Sequence, residues 1–191
     1  AMFPIGKAEL KSAGVTFGEE RGCTNPYTLK RPFIISAMSF GSLGQSAVRS
    51  FARGAKLAGT LMNTGEGGYP KYHLEEGCDL IFQMGTAKFG VRTEDGQLED
   101  QKLHALAKKD SIKMIEIKFS QGAKPGKGGL LPKEKITPEI SALRGVPMGE
   151  NVVSPPSHIE CVDLKSSVRF IQQVQETSQL PVGIKMCIGN P

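Results

Sequence analysis

The feature that most limits what this chain can fold into is a rhythm. Short apolar runs recur at intervals of roughly 20–40 residues, each ends in a loop suited to ligands, and most are followed by an amphipathic stretch, which is the signature of parallel β/α units. The runs are Phe33–Met38, Thr60–Asn63, Leu80–Met84, Met114–Phe119, Val152–Val153 and Pro181–Ile188. Between them lie the helical stretches. Ser42 with Gln45 reads as a capping box before a helix carrying Leu43, Ala47, Phe51, Ala55 and Ala58 on one face, with Gly59 as its stop. Residues 99–109 suit a helix on Leu103 and Leu106. Thr137-Pro138-Glu139 starts another that ends near Gly145, with Arg144 in its last turn, where the helix dipole by itself explains a cation. Asp163 caps a long helix with Leu164, Val168, Ile171 and Val174 inward. Residues 1–30 show no periodicity and read as an irregular arm, leaving 31–191 as the domain.

One run breaks its own rule. In Met114–Phe119 the apolar residues are interrupted by Glu116 and Lys118. Charges inside a buried strand are expensive unless paired. The strand leads into Gln121–Gly129, rich in glycine and lysine, at the strand end where α/β proteins bind ligands. The loop is no P-loop: three residues separate Gly122 from Gly126, and Gly128 follows Lys127 where a hydroxyl is required. A solvated surface turn is the competing reading of these lysines. Three glycines surround Glu66 in Thr64–Gly68, yet Pro70 stands where a dinucleotide fingerprint needs its last glycine. A tight turn with an exposed glutamate is the alternative there. A single lysine, Lys185, lies inside the last apolar run.

Composition excludes several classes. The +5 net charge of this 191-residue chain has no basic cluster behind it, which argues against nucleic acid. No apolar segment approaches the roughly 20 residues that span a bilayer. No signal-peptide pattern opens the chain, so a cytoplasmic location is expected. Cys23, Cys78, Cys161 and Cys187 form no metal spacing and read as reduced, mostly buried thiols. No nucleophilic triad can be argued from His73, His104 and His158.

Taken together, ISAMSFGSLG (35–44), NTGEGG (63–68), KMIEIKFSQGAKPGKGGLLP (113–132), SPPSH (154–158) and VGIKMCIGNP (182–191) resemble the FMN-binding domain of glutamate synthases and stand-alone glutamate synthase-like flavoproteins. The resemblance implies an FMN-containing (β/α)8 TIM barrel, of which about six of eight strands would be present, so that the chain reads as the N-terminal part of a longer oxidoreductase of glutamate biosynthesis. It implies that Ala37, Met38, Ser39 and Gly41 lie against the flavin, that Gln83, Lys118 and Lys185 contact its ring, and that Glu66, Lys124 and Arg144 meet a small diacid such as 2-oxoglutarate. Glu66, Lys118 and Lys185 become the catalytic candidates. Reduction of 2-iminoglutarate or a related imino or keto acid by FMN hydride is the implied reaction. An ammonia-supplying or electron-donating protein is an implied partner, and a homo-oligomer is expected.

The family's iron–sulfur cysteines and its phosphate-binding loops would lie beyond Pro191, and no metal site is expected within the chain. Leu130 stands where the family carries glutamine, which keeps a different substrate open. A catalytically inactive partial barrel that self-associates through open strand edges is the reading from another class.

Overall fold

The computed structural model describes residues 14–121, 124 and 126–187. The elements in chain order are β1 (Val15–Phe17), β2 (Tyr27–Leu29), α1 (Gln45–Ala58), β3 (Leu61–Asn63), α2 (Lys71–Leu74), β4 (Asp79–Met84), α3 (Asp100–Ala107), β5 (Ile112–Lys118), β6 (Leu130–Leu131), a 3-10 turn at Lys133–Lys135, α4 (Pro138–Arg144), β7 (Val152–Val153), α5 (Leu164–Ser178) and β8 (Val182–Lys185).

Strands β3, β4, β5 and β8 form one parallel sheet in that order. Ile35 extends it beyond β3 by a single parallel bridge to Met62. Neighbours in the sheet are thus neighbours in sequence order, with helices as crossovers, as the rhythm requires. Among the described residues the sheet does not close on itself.

Alternation along β5 shows how the two faces differ. Ile115 and Ile117 point to a large core shared with Leu80, Phe82, Met84, Leu103, Leu106 and Val174, on the side of α1, α3 and α5. Burying each such side chain stabilises by about 1.5–3 kcal/mol. Met114 points the other way and joins Leu29, Leu61 and Ile81 in a second cluster, against Phe17 and Tyr27 of the β1–β2 hairpin. The hairpin therefore covers the inner face at the strands' N-terminal ends. Tyr27 ties it down by donating to Asp79 at 2.7 Å, and burial together with that bond raises the phenol's pKa. Towards the C-terminal ends the same inner face turns polar, with Asn63, Gln83, Glu116, Lys118 and Lys185.

Several expectations need correction. The arm at 1–30 contains the hairpin, whose strands are too short to show a period. Phe33–Met38 forms one bridge instead of a strand, leaving Phe33 and Ile34 exposed. Val152–Val153 pairs antiparallel with Leu130–Leu131 and lies outside the parallel sheet, because the glycine loop folds back onto it. The fifth of the six expected runs is therefore not part of that sheet, while the sixth supplies β8. The cap of α1 is the backbone of Gly44, with no side-chain bond, while Ser42 meets the Ser39 hydroxyl at 3.0 Å. Its buried face is Val48, Ala52 and Ala55, and Phe51 is exposed. On α5 the buried residues are Phe170, Val174 and Ser178, with Leu164 and Val168 exposed. Of the cysteines only Cys78 is buried; Cys187 is exposed and Cys23 and Cys161 are half-buried.

Other details agree. Gly59 and Gly145 end α1 and α4 in the left-handed conformation, and the Thr137 side chain caps α4. Asp163 forms a capping box with Ser166, and its carboxyl is held below the usual range by the Ser166 backbone and hydroxyl. Ile188 lies outside the described residues.

Candidate functional site at the strand exits

The polar end of the inner face has two ion pairs at its centre. Lys118 and Lys185 lie directly opposite one another on neighbouring parallel strands. Lys118 Nζ stands 3.1 Å from Glu66 Oε2 and donates to Gln121 Oε1 at 3.1 Å. Gln121 Nε2 in turn donates to both Glu66 oxygens, at 2.7 and 3.0 Å. Lys185 Nζ pairs with Glu116 Oε1 at 3.0 Å. The two lysines thus share one face and each is paired with a carboxylate, so the charges that made β5 look costly are matched.

Beside this lies a cavity of about 210 Å3, lined by Ser39, Ser42, Glu66, Phe89, Gln121, Lys124, Gly129, Leu130, Leu131, Arg144, Val152 and Ser154. The three residues expected to meet a diacid, Glu66, Lys124 and Arg144, all line it. Arg144 is the anchored one. It is 6 % exposed, Nη2 donates to the Phe40 carbonyl at 2.8 Å, and the guanidinium lies 5.2 Å from the Phe89 ring centre. Its Nε is buried without a partner. Burial pulls its pKa below the usual arginine range, opposed by nearby Glu66; an arginine stays charged regardless. The last turn of α4 therefore carries a cation for more than the helix dipole. Lys124 is exposed at the cavity's outer edge.

The glycines of the motifs have a steric role here. A Cβ on Gly65 would lie 2.7 Å from the Ser39 backbone nitrogen, and Gly65 has φ +69°. One on Gly67 would meet Arg144 at 2.7 Å, and one on Gly85 would meet the Glu66 Cβ at 2.7 Å. Chain segments far apart in sequence approach each other here with no room for a side chain. The segment expected to lie against a flavin forms one wall of the same region. Met38 is held by Asn63 and His73, Ser39 lines the cavity, and Gly41, at φ +104°, abuts Arg144; Ala37 is half-buried just before them.

Two buried histidines support the rim. His73 Nε2 lies 2.8 Å from the Met38 carbonyl and His158 Nε2 3.0 Å from that of Lys118. A carbonyl can only accept, so both rings carry their proton on Nε2, and both Nδ1 atoms are buried without partners. Burial lowers both pKa values. A lowered histidine pKa means that the unfolded chain binds more protons below about pH 6.5, so stability is full above that pH and falls as pH drops through the folded values. Urea midpoints measured between pH 8 and 5 are expected to fall over that interval, and His158→Gln should flatten the fall. An unchanged profile in that variant would remove His158 as a contributor.

Sequence patterns missed three participants. Gln121 bridges Lys118 and Glu66, though only its place after the strand could have marked it. Asn63 donates to Glu116 at 2.8 Å and accepts from the Gly65 N–H at 2.9 Å. Lys88, 1 % exposed and at φ +50°, pairs with Glu160 at 3.1 Å, tying the β4–α3 loop to the segment after β7; no local signal marks it. Among the described residues no cluster of side chains suits a metal ion, and no helix is long and apolar enough to cross a membrane.

Fold and site define the class: a parallel α/β protein with a charged cavity at its strand exits, where such folds bind small ligands. The profile described as "Conserved region in glutamate synthase" matches residues 7–191, and the chain belongs to the glutamate synthase family. It is 39% identical over 173 residues to the glutamate synthase large subunit-like protein YerD of Bacillus subtilis, covering 90% of this chain and 33% of that protein. Similarity to the archaeal-type glutamate synthase [NADPH] of Thermotoga maritima is 38% over 160 residues, 83% of this chain and 29% of the relative. The glutamate synthase [NADPH] large chain of Bacillus subtilis is 32% identical over 158 residues, 80% of this chain and 10% of its own length. The chain spans about a third of the length of the first two relatives.

Proposed function

We propose that this chain contributes the substrate cavity and much of the ring-binding face of an FMN-dependent, glutamate synthase-like oxidoreductase built on a TIM barrel, reducing 2-iminoglutarate or a related imino or keto acid. The observation that carries the reading is the pairing of Lys118 and Lys185 on one face beside a cavity that holds Arg144, Lys124 and Glu66. The sequential parallel order of Ile35, β3, β4, β5 and β8, with helices on one side and a hairpin under the other, supports the barrel.

The donor set suits FMN: two adjacent ammonium groups, a glutamine amide, and a glycine-lined wall at 37–41. When bound, the flavin supplies hydride. The chain's own residues do the rest. Lys118 and Lys185 stabilise negative charge at a ring edge. Arg144 and Lys124 hold the two carboxylates of a diacid, the arginine with a fork that admits two parallel bonds. Glu66, fixed by Lys118 and Gln121, handles the proton at the substrate nitrogen. An ammonia-supplying or electron-donating protein and a homo-oligomeric assembly belong to the same reading, as does a cytoplasmic setting.

Reoxidation of the dithionite-reduced, FMN-loaded protein by 2-oxoglutarate plus ammonium, under anaerobic conditions, tests it. Arg144→Lys keeps the charge and loses the fork, and is expected to raise KM for the keto acid by about tenfold or more. No reoxidation by any keto acid would sink the reading.

Leu130 favours a second reading within the same chemistry. It is 58 % exposed on the cavity wall, an apolar surface beside Arg144. A keto acid with a less polar arm reoxidising the flavin faster than 2-oxoglutarate would select it.

A further inference from the structure

Glu116, one of the two charges that interrupt the apolar run of β5, sits at a junction of four strands. Its Oε1 accepts from Asn63 Nδ2 of β3 at 2.8 Å, from Gln83 Nε2 of β4, and pairs with Lys185 Nζ of β8 at 3.0 Å, while Glu116 itself is on β5. One carboxylate oxygen therefore gathers a donor from each of the other three strands of the sheet. An ionised carboxylate can only accept. That settles the sense of both amides without reference to how their atoms are named. The Asn63 nitrogen must face Glu116, and its oxygen is then free to take the Gly65 N–H at 2.9 Å, a bond that needs that orientation independently. By the same rule the Gln83 nitrogen is committed inward, and its carbonyl oxygen is the part left over for a ligand.

We propose that Glu116 is a positioning residue for the ring site: it turns Gln83 so that the inner face presents a hydrogen-bond acceptor to a ring N–H, and it holds Lys185 beside Lys118. This rests on the flavin reading above. The imide N–H of an isoalloxazine is the kind of donor that such an acceptor selects. Without Glu116 the Gln83 amide could rotate, and an amide nitrogen aimed at an imide N–H would oppose donor to donor.

The test compares FMN with N3-methyl-FMN, titrated into the protein by flavin fluorescence. The unmodified protein is expected to bind FMN about tenfold more tightly than the methylated analogue. In Glu116→Met, which removes the acceptor at similar volume, the ratio should fall towards unity. Glu116→Gln retains a carbonyl that accepts from Gln83 and should restore the discrimination, an outcome that a purely structural role would not produce. The ligand-free protein gives a second readout: the Gln83 side-chain NH2 should exchange slowly with solvent, and should exchange fast in Glu116→Met. Tight binding of both flavins by the unmodified protein would overturn the proposal and leave the flavin reading standing. Binding of neither would sink the flavin reading and this inference with it. Equal ratios in the unmodified protein and Glu116→Met, or a fast-exchanging Gln83 amide from the start, would remove Glu116 from the role.

Discussion

Gly128→Ala is expected to lower stability by about 3 kcal/mol or more, at the upper end of what overpacking does. A Cβ on Gly128 would lie 1.5 Å from the Ser154 carbonyl oxygen and 2.5 Å from its carbon. Both partners are backbone, so no side chain can swing aside to relieve the contact. The neighbouring bond, from the Ser154 N–H to the Gly129 carbonyl at 2.8 Å, leads into the β6–β7 ladder that pairs Leu130 with Val153 and Leu131 with Val152. Displacing Gly128 should open that ladder and carry the cavity's Gln121 wall with it. For a chain of this size the melting temperature would drop by about 6–12 °C. The Ser154 and Leu131 amides would lose protection from hydrogen exchange. Gly54→Ala is the control: nothing lies within 4 Å of the added Cβ in the middle of α1, and a gain of about 0.5–1 kcal/mol is expected there. A melting temperature for Gly128→Ala equal to the parent's would show that the loop does not pack on Ser154.

Glu160→Ala is expected to cost about 3–5 kcal/mol, because it strands a buried cation. The Lys88 side chain is 2% exposed and its ammonium has Glu160 Oε1 at 3.1 Å; its other contact is a long one of 3.5 Å to the Gly96 carbonyl. Neither lysine nor loop can turn outward cheaply, since Lys88 sits in a left-handed turn between the buried Ala87 and Phe89. The double variant Lys88→Met with Glu160→Ala should recover much of the loss, since it removes the charge along with its partner. Urea denaturation of the two variants measures this. If the single variant is as stable as the parent, the ammonium has water or another acceptor and the pair is not structural. The consequence would extend to the site, because the same segment holds the end of β5 through His158.

Much of the architecture was legible along the chain. The start and stop of α4 and the start of α5 followed from Thr137-Pro138, Gly145 and Asp163, because caps and proline act within one turn. The β3, β4 and β5 segments followed from apolar runs bounded by polar loops. The errors fall where a segment's fate depends on a distant partner. Val152–Val153 looks like any short strand, and only the return of the glycine loop decides that it pairs antiparallel outside the sheet. Leu164, Val168 and Phe51 have helical spacing, yet which stripe is buried depends on where the neighbouring element lies.

By itself, then, the sequence determined the class of fold, most of the segments that form its parallel strands and the residue types gathered at their exits, because periodicity, capping and glycine tolerance are local properties of the chain. Only the tertiary structure decided which charge neutralises which. Glu66 meets Lys118 across 52 positions, and Arg144 reaches the Phe40 carbonyl across 104. The reason is electrostatic and steric together: a carboxylate inside a sheet takes whichever donors the register brings within reach, and register is set by packing between segments that the spacing along the chain does not encode.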